Sequence, residues 1–144
     1  MRIAAAVFLA LVLAVPATRA ADAPQVDLGE QVYTRICQGC HMANGEGATG
    51  AGTYPKLAGN PRLVAWQYAA ITVLQGRNGM PAFGGIADVD PALLKMMGAL
   101  TDEQIAAVVN YVRTHFGNSY KDKATASDIK ALPHPGGKGS GRAG

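Results

Sequence analysis

The chain is predicted to be all-α, on three observations: apolar residues recur at helical spacing in three stretches, each stretch opens on an N-terminal signal, and no run alternates apolar with polar long enough to form a convincing strand. The first stretch is 27–37, where Leu28, Val32, Tyr33 and Ile36 share a face behind Asp27 as N-cap. Glycines at 45, 47, 50 and 52 then predict a loop from Gly39 to Gly59 with no regular element. Asn60 and Pro61 supply an N-cap and a proline at the first helical position, and Leu63, Val64, Tyr68, Ile71 and Leu74 keep the 3.6 period to Gly76. Arg77 to Asp88 reads as loop, and Asp90-Pro91 as the start of a short helix through Met97. Thr101-Asp102-Glu103-Gln104 is a capping box that opens the last long helix, in which Ile105, Val108, Val109 and Val112 form one face and Gly117 marks the end.

The two ends differ from this body. Met1 and Arg2 precede thirteen uncharged residues, Ile3 to Val15, and then Pro16-Ala17-Thr18-Arg19-Ala20. That order is a secretory signal peptide, since a membrane span needs roughly 20 apolar residues. Cleavage is expected after Ala20, with Ala17 as the other site; an uncleaved anchor is the alternative. Residues 21–120 form the domain. They carry six Lys/Arg against eight Asp/Glu, a formal minus 2, whereas 121–144 carry five against two, a formal plus 3. After Tyr120 the periodicity fades into Pro133, Pro135 and glycines at 136, 137, 139 and 144, so 121–144 reads as a flexible basic tail, with His134 solvent-exposed. No basic stripe interleaved with aromatics suggests nucleic acid.

The chemistry lies in Cys37-Gln38-Gly39-Cys40-His41, the only cysteines in the chain. C-x-x-C-H is the attachment sequence of a c-type haem. Two thiols three positions apart can each add to one vinyl group on the same porphyrin edge, and the next residue sets an imidazole under the iron. Met80, 39 residues beyond His41 in Asn78-Gly79-Met80-Pro81, offers a thioether for the opposite face. Glycine before it and proline after it hold an extended loop. The competing methionines are Met42, which adjoins His41, and Met96 and Met97 on the short helix. A zinc site would need four ligands, with only His115 and His134 left to supply two. A Cys37–Cys40 disulfide is the redox-motif alternative, which the adjacent His41 and the missing strand pattern oppose.

These residues resemble class I c-type cytochromes over most of 27–120. Gly29 and Tyr33 are similar to the small and aromatic positions of that family's N-terminal helix, and Val108 and Tyr111 to their partners on the C-terminal helix. The resemblance implies the cytochrome c fold, several helices and long loops around one covalently bound haem. Tyr54-Pro55-Lys56-Leu57-Ala58-Gly59 resembles the loop whose proline carbonyl accepts a hydrogen bond from the proximal imidazole, which implies Pro55 as partner of His41, with Tyr54 and Leu57 beside the cofactor. Tyr54, Arg62, Trp66 and Arg77 are candidates for the haem propionates. The runs Tyr54 to Pro61, Met80 to Phe83 and Asn118-Ser119-Tyr120 are similar to cytochrome subunits of bacterial membrane dehydrogenases. Those subunits commonly carry several haem segments; this chain has one, and its segment Ile86 to Leu100 lengthens the stretch before the last helix.

The functional expectation is a periplasmic carrier cycling one haem c between Fe(III) and Fe(II) with His41 and Met80 as axial ligands, and not an enzyme. Its partners would be redox proteins: a dehydrogenase, a terminal oxidase or another cytochrome, with weak contact to a membrane surface or an acidic partner through the basic tail. The alternatives are a dedicated electron-accepting subunit of a dehydrogenase, a haem enzyme or gas sensor with an open distal site, and a zinc-stabilised module.

Overall fold

A computed structural model describes residues 27–50, 52–85, 90, 92, 96 and 98–135. The expected signal peptide, the tail beyond 135 and most of the helix expected between Asp90 and Met97 lie outside the described residues. Helix α1 (Leu28–Val32) starts where expected: the Asp27 carboxylate accepts from the Gly29 amide at 2.7 Å. It runs through a π-helical turn, Tyr33–Cys37, into α2 (Gln38–His41), which Met42 ends at φ 65°. All the residues of C-x-x-C-H therefore sit at the close of one continuous helical segment.

The glycine-rich loop does contain a regular element. Strands β1 (Ala48–Thr49) and β2 (Thr53–Tyr54) pair antiparallel, with Ala48 opposite Tyr54 and Thr49 opposite Thr53. Glycine turns the chain between them, the Gly50 amide donating to Gly52 O at 2.9 Å. Two residues per strand leave too little alternation to show in a sequence.

The second expected helix is divided. Pro61–Val64 is a 3₁₀ helix behind Asn60, whose side chain accepts from the Arg62 amide, and α3 (Trp66–Gln75) begins after Ala65 opens to an extended conformation. The break has a tertiary cause. Arg113 donates from Nε to Leu63 O at 2.8 Å and from Nη2 to Val64 O at 3.0 Å, so these carbonyls are engaged by a guanidinium and not by the next helical turn.

Helix α4 (Asp102–Thr114) opens with the expected capping box, Thr101 and Gln104 each satisfying the other's amide. It packs across α1 at Gly29. A Cβ there would be driven into Ala107 O and would meet Tyr111 Cβ at 2.7 Å, so glycine permits the crossing. Tyr33 lies beside the contact, its ring 5.6 Å from that of Tyr111 and 4.8 Å from that of Phe116. Leu63, Leu74, Ile105, Val108 and Val109 form the core where α3 meets α4.

Residues 121–135 correct the expectation of a flexible tail from 121 onward. They fold back along α4 as a strap containing α5 (Ala126–Lys130), which has its own capping box from Thr125 and Asp128. Ala124 and Ile129 are buried in the core, and Asn110 holds Ala124 through both backbone groups. His134 is 8 % exposed, not solvated. The reason is tertiary: a few apolar residues among lysines are too sparse to order themselves, but α4 offers them a surface and Arg113 offers Asp122 a partner. Lys121, Lys123 and Lys130 stay exposed on the strap.

The hydrogen bond from Arg113 holds the Asp122 carboxyl below the usual carboxylate range, and bonds from Thr125 do the same for Asp128. With folded values depressed, their stabilisation is complete above the unfolded value of about 4 and is lost as pH falls through the lower folded values. Asp122→Asn should therefore lower the melting temperature slightly at neutrality and leave it unchanged at the acid end, which flattens the acid limb; the loss is small because the carboxylate is exposed. An acid limb identical to that of the unsubstituted protein would show that this pair carries none of the dependence.

Candidate cofactor site

The end of α2 presents the expected cluster. Cys37 is half-buried and Cys40 exposed, and both are free thiols. Burial, followed by the neighbouring Cys40, pushes the Cys37 thiol up to about 11. A redox-active C-x-x-C needs the opposite, a thiol lowered toward neutrality.

His41 is 8 % exposed, and its Nδ1 lies 2.9 Å from Pro55 O. A carbonyl can only accept, so Nδ1 carries the proton, and in the neutral ring Nε2 presents a lone pair. That is the tautomer a metal ligand requires, fixed by a backbone group on another loop. The placement of that loop is redundant. The Gly47 amide donates to His41 O at 3.1 Å, and the Leu57 and Ala58 amides both donate to Gly45 O. A Cβ at Gly47, where φ is +69°, would be driven into Tyr54 O, so the strand carrying Tyr54 lies directly against the loop that leaves His41.

Two residues that the sequence did not mark as site residues secure this arrangement. Asn118, buried, donates to Leu57 O at 3.0 Å and Val112 O at 2.7 Å and accepts from the Asn60 amide at 3.0 Å. Arg113, fully buried, holds the 3₁₀ helix that follows. The available signal was weak: Asn118 follows Gly117 in the turn just past the end of α4, within reach of the last carbonyls of the helix.

Met80 stands in a separate turn. Arg77 and Met80 exchange backbone hydrogen bonds of 3.0 and 2.9 Å around Asn78 at φ 48° and Gly79 at φ 90°, the two positive values a tight primed turn demands. Gly76 lets the strand out of the turn pass close by, since a Cβ there would be driven into Met80 O and would meet Ala82 N at 2.8 Å. The Phe83 and Gly84 amides then bond to Val73 O and Leu74 O, fixing the segment along the end of α3.

The remaining candidates are dispersed. Leu57 and Trp66 are half-buried and pack on the core, whereas Tyr54 is 42 % exposed on β2. Arg62 is exposed, and Arg77 lies 5.6 Å from the Tyr68 ring centroid with Nη1 3.4 Å from its hydroxyl. His115 is exposed and stacks on Tyr111 at 4.0 Å. Among the described residues no three His, Cys, Asp or Glu side chains gather into a metal cluster. Two free thiols three positions apart, followed by an imidazole of fixed tautomer, form a donor set that fits covalent haem.

Comparison with known proteins agrees. The profile of the Cytochrome c family matches residues 26–116. The cytochrome c subunit of a quinone alcohol dehydrogenase from Gluconobacter oxydans is 33 % identical over 114 residues, covering 75 % of this chain and 22 % of that protein. The fructose dehydrogenase cytochrome subunit of Gluconobacter japonicus is 35 % identical over 121 residues, covering 76 % of the chain and again 22 % of the relative. This chain thus spans less than a quarter of those subunits. Cytochrome c-552 of Thermus thermophilus is 32 % identical over 113 residues, covering 72 % of the chain and 82 % of its partner. The chain belongs to the cytochrome c family, and the cofactor that membership implies is covalently bound haem c.

Proposed function

We propose that this chain is a periplasmic one-electron transfer protein in which Cys37 and Cys40 hold the haem through thioethers and His41 and Met80 are the axial ligands. The observation that carries this reading is the 2.9 Å bond from His41 Nδ1 to Pro55 O at the end of the helix bearing both free thiols. When bound, the haem supplies an Fe(III)/Fe(II) couple whose potential His plus Met ligation raises. The chain's own residues attach, orient and enclose it. Pro55 fixes the imidazole plane, Gly76 and the Asn78-Gly79 turn hold the thioether in place, and Leu57 and Trp66 supply apolar cover. Two protein ligands leave no open coordination position, so the chain breaks no substrate and is not itself an enzyme.

Export is supported by the n-region, apolar run and small residues of Met1 to Ala20, because covalent haem attachment takes place after translocation. Redox proteins are the proposed partners. The names of the relatives support a dehydrogenase as electron donor, and the exposed lysines of the strap support contact with an acidic partner surface. A second reading, a dedicated dehydrogenase subunit, is favoured by those same names and predicts co-purification with a catalytic chain; a free carrier purifies alone.

The test is an optical spectrum of protein matured with haem, oxidised and reduced, beside Met80→Ala. The expected result is a sharp reduced α-band together with the weak far-red band of methionine-ligated ferric haem, the latter lost in the variant. A c-type spectrum that Met80→Ala leaves unchanged would remove Met80 as ligand and favour an open-site enzyme or sensor.

A further inference from the structure

The stretch bearing Met80 leaves α3 after Gln75 and ends where α4 begins at Asp102. It is long and rich in glycine and proline, and closing such a loop costs entropy that contacts at its feet must offset. Two consecutive residues of the strap reach both feet. Gln75 Nε2 donates to Pro133 O at 3.0 Å, and His134 Nε2 lies 2.8 Å from Asp102 Oδ1. The His134 ring is itself oriented, its Nδ1 donating to Leu132 O at 2.9 Å. Behind the clasp the strap is anchored by buried Ile129, by the Asn110–Ala124 pair and by Arg113 on Asp122. Near the far end of the stretch the Leu100 amide donates to Phe83 O at 2.8 Å and the Leu100 side chain is buried in the core.

We propose that Pro133 and His134 form a clasp across the base of the Met80 stretch and that this clasp, acting through Gln75 and Asp102, keeps the methionine sulfur on the iron. The inference rests on the reading of Met80 as axial ligand. Gln75 and His134 are positioning residues: they touch neither sulfur nor haem. Opening the clasp removes the hydrogen-bonded tie between the end of α3 and the start of α4 and leaves the packing of Leu74 and Ile105 to hold them. The Met80 turn, continuous with α3 through Gly76, loosens with the end of that helix.

The experiment is stopped-flow binding of imidazole to the ferric holoprotein, where the rate at saturating imidazole reports how often Met80 leaves. His134→Ala and Gln75→Ala should each raise that limit roughly three- to tenfold, as expected for one hydrogen bond of ordinary net strength. Gln75 is exposed, so its variant tests the clasp even if His134→Ala folds poorly. Val32→Ala, which weakens the core from the N-terminal helix, should leave the limit unchanged. A wild-type limit in both clasp variants, or equal acceleration in Val32→Ala, overturns the clasp. Binding to the unsubstituted protein with no saturating limit would instead show that Met80 is not a ligand, and the clasp would fall with that reading.

Discussion

Gly29→Ala should cost roughly 3 kcal/mol of stability. In most exposed helical positions the same change is favourable by about 1 kcal/mol, because alanine is the better helix former. Here the sign reverses because the added methyl has nowhere to go. Its nearest neighbours are the Ala107 carbonyl and the Tyr111 Cβ, both fixed by α4, so neither can yield by rotating a side chain. Relief requires α1 to move away from α4, and that motion also separates Tyr33 from Tyr111 and Phe116. Chemical denaturation of the holoprotein measures the loss. Gly50→Ala, where an added Cβ meets nothing within 4 Å, is the control that should change stability little. A Gly29→Ala protein as stable as that control would mean that the helices do not cross at this point.

The attachment cluster and the opening of α4 were legible in the sequence because each rests on local order, whereas the crossing of α1 and α4 entered through family resemblance. Cys37, Cys40 and His41 are defined by spacing along one helix, and the α4 capping box by four adjacent residues. Gly29 was marked by its similarity to the small position of the family's N-terminal helix. The bond from His41 to Pro55 entered through family resemblance, since nothing in residues 54–59 announces which carbonyl faces an imidazole fourteen positions away.

What escaped reading depends on partners distant in sequence. Residues 121–135 have the composition of a solvated tail, and only the surface of α4 makes Ile129 and Ala124 a packing face. His134 read as exposed because its partner Asp102 lies 32 positions earlier. The division of the second helix could not be inferred from residues 60–75, whose periodicity is unbroken, because the agent of the break is Arg113. That arginine near the end of an amphipathic helix is ordinarily a solvated charge favouring the helix C-terminus. Here it is fully buried.

Arg113→Ala is accordingly expected to destabilise the protein by roughly 3 kcal/mol. The guanidinium spends its donors on Leu63 O, Val64 O, Asp122 O and Asp122 Oδ1, and lies 5.4 Å from the Tyr120 ring centroid. Truncation strands the backbone acceptors and leaves a void, whereas the Asp122 carboxylate, 62 % exposed, simply returns to water. The cost thus comes from carbonyls and packing more than from a lost ion pair, which separates this variant from Asp122→Asn. Arg113→Lys should recover little, because one ammonium cannot reproduce a planar fork aimed at two chain segments. The strap should loosen with it, read as faster amide exchange over 122–134 than in Asp122→Asn. Full recovery by lysine would show that charge alone suffices. If instead alanine costs less than about 1 kcal/mol, within the range of a surface substitution, the strap and the 3₁₀ helix must be held by packing that does not need the guanidinium.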